Sequence, residues 1–264
     1  MVGGAGNDTY FVDNSNDVVF ENANEGSDAV LSTAHYRLSA NVETLVLQGN
    51  ADLQGYGNSD ANTLYGNAGN NLLNGEAGAD RMVGGAGNDT YFVDDSGDLV
   101  FENANEGTDA VFATVNYTLT ANVETLVLQG AGDLSGTGNA LDNKVYGNAG
   151  DNALNGGAGA DMLNGGAGAD MLNGGAGHDT LTGGTGNDTF VFGVGQADGD
   201  IIVDFDGQGA AAGDSLQFVG YGPGATFTQN DATHWQIDYN GGSSHELITF
   251  MNGAAIHASD WHFV

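Results

Sequence analysis

Cysteine is missing from the 264 residues, and lysine and arginine together number three, Arg37, Arg81 and Lys144. Without cysteine there is no disulfide framework, no thiolate zinc site and no cysteine nucleophile. Three cations against 35 acidic residues leave a formal net charge of −32. A surface of that sign repels nucleic acid phosphates and anionic membranes, whose binding needs clusters of basic side chains, so no nucleic acid partner is expected. No apolar run approaches the roughly 18 residues of a membrane-spanning helix, so no membrane insertion is expected, and no secretory signal peptide opens the sequence. A GxSxG elbow, an HExxH helix and a phosphate loop are all lacking, which predicts that the chain is not an enzyme. Proline occurs once, at Pro223, which excludes collagen and proline-rich linkers. Glycine is what the sequence has in excess, 46 residues.

The glycines fall into two nested repeats. Residues 2–13 (VGGAGNDTYFVD) recur unchanged as 83–94, residues 20–26 as 101–107, 40–49 as 121–130 and 65–69 as 146–150. Inside this long period lies a shorter one of nine, GGxGxDxUx, where U is a large apolar residue. Its blocks start at Gly138, Gly147, Gly156, Gly165, Gly174 and Gly183, at Gly57, Gly66, Gly75 and Gly84, and singly at Gly3.

Glycine tolerates positive φ and close backbone approach, so GGxG is a tight turn. The three residues after the Asp alternate outward, inward, outward, as a short strand does. The inward set is Tyr10, Leu64, Leu73, Met82, Tyr91, Val145, Leu154, Leu163, Leu172, Leu181 and Phe190. A three-residue strand cannot bury its apolar face alone, so copies must stack, two blocks to a flattened turn of about 18 residues. The predicted fold is all-β, a right-handed parallel β-roll or β-helix solenoid. Stacking sets Asp161 against Asp179 and Asp170 against Asp188, and like charges so close require a cation between them. With only carboxylate and carbonyl oxygens on offer, calcium suits these turns better than zinc, copper or magnesium.

The nine-residue blocks, five of them consecutive over residues 147–191, resemble the repeats-in-toxin (RTX) family of secreted bacterial calcium-binding proteins. The resemblance implies a parallel β-roll with several Ca2+ ions held between turns by the Asp carboxylates and the carbonyls of the glycine loops. The implied metal ligands are Asp8, Asp80, Asp89, Asp161, Asp170, Asp179 and Asp188, with the turns at Gly157 and Gly159, Gly166 and Gly168, Gly175 and Gly177, and Gly184 and Gly186. Four blocks depart from the pattern with Asn62, Asn71, Asn143 and Asn152 in the sixth position, and Asp60 and Leu141 replace a fourth-position glycine. These turns are expected to bind calcium more weakly or not at all.

Residues 12–56 and 93–137 are not nonapeptides; segments 17–21, 28–38 and 43–48 read as strands of wider coils. Their acids recur in register, Asp13/Asp94, Asp17/Asp98, Glu21/Glu102, Glu25/Glu106 and Asp28/Asp109, which suits either solvated turns or further calcium sites. His35 and Arg37 are replaced by Asn116 and Thr118 in the second copy, so no chemistry of the repeat can depend on them. After Phe192 the composition changes, with strand-like segments 200–206, 214–218, 233–239 and 246–251 and both tryptophans, Trp235 and Trp261. This part reads as a carboxyl-terminal β cap, and residues 260–264 resemble the ending of secreted RTX proteases and lipases. The expected organisation is a first unit at 1–82, a second unit with the main roll at 83–192, and the cap with a secretion-signal region at 193–264.

The sequence opens inside a block, which predicts a piece of a larger protein. The expected function is a calcium-binding module that folds after export by the type I secretion machinery and supports or caps an extracellular protein. The alternatives are an adhesive or polysaccharide-binding solenoid, or an accessory module of a polysaccharide-modifying enzyme.

Overall fold

The computed structural model describes residues 1–209 and 213–264, and divides them into two compact units. Apart from one short 3-10 turn at Asn240–Gly242, the regular elements are strands. The parallel β-solenoid expected from the nonapeptides is present in both units.

The first unit comprises Met1–Val115 and Thr120–Val123. One sheet runs in parallel through Thr9–Val12, Ala29–Ser32, Thr44–Leu47, Thr63–Tyr65, Arg81–Val83 and Leu99–Phe101. Register aligns Tyr10, Val30, Leu45, Leu64, Met82 and Val100 in a single inward row. The opposing strands, Tyr36–Arg37, Gln54–Tyr56, Leu72–Asn74, Thr90–Val93 and Ala110–Ala113, align Tyr36, Gly55, Leu73, Tyr91 and Val111. Gly55 interrupts this row for want of space: a Cβ there would lie 3.0 Å from Leu45 of the facing sheet and 3.2 Å from Leu73 of its own.

The second unit comprises Asn116–Leu119 and Glu124–Val264. Tyr117–Thr118, Ser135–Thr137, Ala153–Ala158, Met171–Ala176, Thr189–Gly193, Ser215–Val219 and Trp261–Phe263 form one parallel sheet. Thr125–Leu128, Lys144–Tyr146, Met162–Ala167, Thr180–Thr185 and Asp200–Ile202 form the other, extended by Ser244–Phe250 in parallel and then by His234–Tyr239 and Thr226–Gln229 antiparallel. In the main roll the strands run on through their glycine turns, so Gly157 pairs with Gly175 and Gly166 with Gly184. Such stacking excludes side chains. Gly177 has φ 145°, and a Cβ on it would collide with the Gly159 carbonyl of the turn beneath. Beyond Phe192 the aromatics cluster, with Phe218 4.9 Å from Phe227 and 5.1 Å from Phe263, and Phe227 4.8 Å from Trp235 between ring centroids.

All eleven inward residues of the nonapeptides are buried, none above 6% exposure. Three segments differ from the strands expected of them, and of 200–206 only Asp200–Ile202 is a strand. Residues 28–38 break into Ala29–Ser32 and Tyr36–Arg37, because Ser32 Oγ accepts from the Ala34 amide and donates to the Ala34 carbonyl, turning a corner. Residues 17–21 make a single bridge, Phe20 to Val2, whereas their counterpart Leu99–Phe101 pairs with the full strand Arg81–Val83.

Burial of alternate residues sets the outcome of truncation. Leu163→Ala, at a position with no exposure, is expected to cost about 2–5 kcal/mol in urea unfolding with saturating calcium. Met162→Ala, 43% exposed one residue earlier, should change stability by less than about 0.5 kcal/mol. Equal losses at the two positions would contradict the facing of the strand.

Candidate metal centre

The sixth residue of each block opens its strand, and its backbone N–H points along the solenoid axis to the next turn. There it meets a carboxylate. The amides of Asn143, Asn152, Asp161 and Asp170 donate to Oδ1 of Asp161, Asp170, Asp179 and Asp188 at 2.7–2.9 Å. In the first unit the amides of Asn62 and Asn71 donate to Oδ1 of Asp80 and Asp89 at 2.7 and 2.6 Å. The carboxylates thus form a ladder that uses one oxygen of each residue.

The second oxygen decides the chemistry. Oδ2 of Asp8, Asp80, Asp89, Asp161, Asp170, Asp179 and Asp188 is buried with no hydrogen-bond partner. Those are the seven aspartates named as ligands from the sequence. Each Oδ2 lies over the first glycine of its own block: a Cβ on Gly75, Gly156, Gly165, Gly174 or Gly183 would collide with it. A buried carboxylate oxygen without donor or cation is costly, and only a hard cation satisfies an oxygen enclosed by carbonyls. The residues therefore fit calcium. The partner glycines Gly157, Gly159, Gly166, Gly168, Gly175, Gly177, Gly184 and Gly186 all hold positive φ, between 98° and 148°, beside these carboxylates.

The asparagine blocks solve the same problem without an ion. Asn62, Asn71, Asn143 and Asn152 accept at Oδ1 from the amides of Asn58, Asn67, Asn139 and Asn148, at 2.6–2.7 Å. Their Nδ2 groups donate in turn, for example Asn62 to the Val42 carbonyl at 3.1 Å and Asn152 to Asn148 Oδ1 at 3.1 Å. In each of these blocks the second glycine has also become asparagine, and none of Asn58, Asn67, Asn139 or Asn148 takes the positive φ found at Gly157 or Gly175. Two distinct kinds of turn therefore occur in each unit, a pair of asparagine turns followed by aspartate turns. The paired asparagines at positions two and six are the sequence signal that separates them.

The ladder also extends past the nonapeptides, to Asp28, Asp98 and Asp109, whose recurrence in the sequence suits either solvated turns or further calcium sites, and to Asp200 and Asp214, to which the sequence assigns no ligand role. Oδ1 of Asp28, Asp98 and Asp109 accepts from the amides of Asp8, Asp80 and Asp89 in the first unit, and Oδ1 of Asp200 and Asp214 from those of Asp179 and Asp188 in the second. Each begins or immediately precedes a strand with the residue order Asp-x-apolar, the same order as positions six to eight of the block. Two of these acids are satisfied by the backbone alone: Asp98 Oδ2 accepts from Asp94 and Asp95, and Asp214 Oδ2 from Asp206. Glu21 and Glu102 approach the ladder from the side. Oxygens of Asp8, Glu21 and Asp28, and likewise of Asp89, Glu102 and Asp109, lie within 4.8 Å of one another.

Among the described residues the two arginines do not relieve this charge, since Arg37 pairs with Glu76 and Arg81 lies against Tyr65 and Phe101, and His178 opposes it only at Asp179. Burial, reinforced by neighbouring acids, drives the carboxyls of Asp80, Asp161 and Asp214 up to about 6, Asp89 to about 7, and Asp200 and Glu102 to about 8. Asp170, Asp179 and Asp188 shift the same way, again first through burial. With folded values above the unfolded ones near 4, the metal-free folded chain binds more protons than the unfolded chain. Its stability is full below about pH 4 and is lost as pH rises toward 8. In chelator, circular dichroism should therefore show more β structure at pH 5 than at pH 8, and saturating calcium should remove that advantage. Metal-free stability that rises with pH would contradict the ladder.

The RTX calcium-binding nonapeptide repeat matches residues 1–19, 56–91, 137–172 and 165–196, and these stretches hold all seven aspartates whose Oδ2 has no partner. No curated protein matches the chain. Similar solved structures include the AlgE6R3 subunit of the Azotobacter vinelandii mannuronan C5-epimerase, 30% identical over 55% of this chain and 86% of that one with a TM-score of 0.36. The AlgE6R2 subunit of the same enzyme is 30% identical over 48% of this chain and 91% of its own, TM-score 0.35. The extracellular lipase LipA of Serratia marcescens is 17% identical over 90% of this chain and 45% of its own, TM-score 0.33. The repeat fold is structural rather than catalytic. With its repeats, its parallel β-roll and its row of aspartates beside glycine turns, the chain belongs to the RTX calcium-binding nonapeptide-repeat family.

Proposed function

We propose that the chain is a calcium-driven folding module of a secreted protein. The observation that carries this reading is the set of seven buried Oδ2 atoms without a partner, on a chain of net charge −32. Where calcium is scarce, self-repulsion and unmet desolvation keep the chain unfolded, a state able to thread through the type I secretion machinery. Outside the cell, calcium enters the glycine turns and its binding free energy becomes folding free energy, about 2.7 kcal/mol per site at a hundredfold excess over Kd. The pairs Asp161/Asp179 and Asp170/Asp188 head the order of affinity, since in each both stacked turns bring an unpartnered oxygen. Residues 193–264, with their aromatic cluster and antiparallel strands, cap the roll and carry the export signal, while the parent protein supplies any catalysis.

A second reading, a polysaccharide-binding face, is favoured by one feature of the first unit. Phe11, Leu31, Val46, Tyr65, Val83 and Phe101 align in register on the outer face of its six-stranded sheet. Phe11, Tyr65 and Phe101 are 70%, 37% and 41% exposed, and the Arg81 guanidinium lies 4.4 Å from the Phe101 ring centre. Such a stripe suits stacking on sugar rings.

Chelation should abolish the far-ultraviolet β spectrum at pH 7.5, and calcium should restore it while magnesium at equal concentration does not. A β spectrum indifferent to chelator would refute the folding role. On a calcium-loaded glycan array, any polysaccharide signal should fall at least about tenfold in Tyr65→Ala/Phe101→Ala if the stripe is the binding face; a signal that survives the double substitution would reject it.

A further inference from the structure

The glycine-turn ladder leaves Glu21 and Glu102 without a role, and each meets two ladder aspartates. Asp89 closes a glycine turn, Glu102 follows the strand Leu99–Phe101, and Asp109 opens the strand Ala110–Ala113. Their carboxylates converge within 4.8 Å, as do those of Asp8, Glu21 and Asp28, the same three positions one 81-residue period earlier. Among the described residues these are the two groups of three acids that meet in this way. Convergence alone would mean little on so acidic a chain, but these groups are enclosed. Glu21, Asp28, Asp89 and Asp109 are at most 3% exposed. Both carboxylate oxygens of Glu21, Oδ2 of Asp8 and of Asp89, and Oε2 of Glu102 are buried with no hydrogen-bond partner. A phenol completes each group. The Tyr91 hydroxyl donates to Glu102 Oε1, and the hydroxyl of Tyr10 is buried without a partner. A Cβ on Gly84 would run into Asp89 Oδ2, the Tyr91 hydroxyl and Glu102 Oε1 together, so glycine holds open the point on which these three oxygens converge.

We propose that Asp8–Glu21–Asp28 and Asp89–Glu102–Asp109 are two equivalent calcium sites of a different kind from the glycine turns, each fastening the wide coil of one 81-residue unit. Three carboxylates of formal charge −3 and a phenolic oxygen form an all-oxygen set with the hardness calcium selects. The geometry explains why this cage falls where it does. From Asp89 to Asp109 the ladder advances 20 residues rather than the 18 between Asp161 and Asp179. Glu102 reaches in from the side and brings a third carboxylate to the site. The site shares Asp8 and Asp89 with the calcium reading of the ladder and rests on it to that extent; Glu21 and Glu102 belong to the triads alone.

Glu21→Gln/Glu102→Gln in the full chain removes one charge from each triad and leaves every nonapeptide intact. Equilibrium dialysis should show two fewer calcium ions per chain, or two weakened by at least about tenfold, with the calcium-dependent β spectrum of the roll retained. Asp161→Asn/Asp179→Asn should instead weaken ladder sites and leave the triad ions. A Glu variant that binds the same number of ions at the same affinity overturns the triads without touching the folding role, whereas a wild-type chain that binds no calcium overturns both. A second measurement covers failure of the Glu variant to fold. Terbium in the wild-type chain should luminesce on tyrosine excitation, and Tyr10→Phe/Tyr91→Phe, which keeps all carboxylates, should lose most of that signal. Undiminished luminescence would overturn the proposal.

Discussion

One oxygen of a buried aspartate, Oδ2, governs this solenoid. In every case but Asp8 its companion Oδ1 accepts from the backbone amide of the turn beneath. Oδ2 has three fates. In Asp98 and Asp214 it takes further backbone amides, and in the asparagine turns the side-chain amide removes the charge altogether. In seven aspartates it takes nothing from the protein. A polar atom buried in that condition costs roughly 1–3 kcal/mol, more when charged, so seven of them set the balance of a marginally stable chain.

Each unit is therefore a mosaic. The first unit stacks the hydrogen-bonded turns of Asn62 and Asn71 on the open carboxylates of Asp80 and Asp89, and the second repeats that order with Asn143 and Asn152 on Asp161 and Asp170. In a solenoid stability passes between neighbouring turns. An asparagine turn can thus serve as a metal-independent seat onto which a calcium-dependent turn closes. The apolar rows are the same through both kinds of turn, which is why Leu64 and Leu163 are equally buried although only the latter follows an aspartate.

Much of this was legible in the sequence because it repeats. The eighth position of each block names its buried side chain, and the sixth names its ladder residue, since a period of nine fixes both strand facing and stacking. Departures from the repeat were harder to read. The corner at Ser32 depends on a hydroxyl bonding its own neighbour's backbone, which composition does not reveal in a run as apolar as 28–38. Asp200 and Asp214 carry the Asp-x-apolar order without glycines, so their place in the ladder emerges only when strand register is known. Glu21 and Glu102 recur in the sequence, but their approach to Asp8 and Asp89 is set by the path of a wide coil, which has no local signature. Thr226–Gln229 was not anticipated either; it pairs antiparallel with His234–Tyr239 in a part of the chain that has no repeat to guide the eye.

Anomalous diffraction from crystals grown in calcium tests the central claim most directly, because it locates ions without reference to fold stability. The account predicts peaks within coordination distance, about 2.3–2.6 Å, of Oδ2 in Asp161, Asp170, Asp179 and Asp188, and none at the side chains of Asn62, Asn71, Asn143 or Asn152. Ions seated on the asparagine turns, or a well-ordered roll with no ion beside those aspartates, would contradict it.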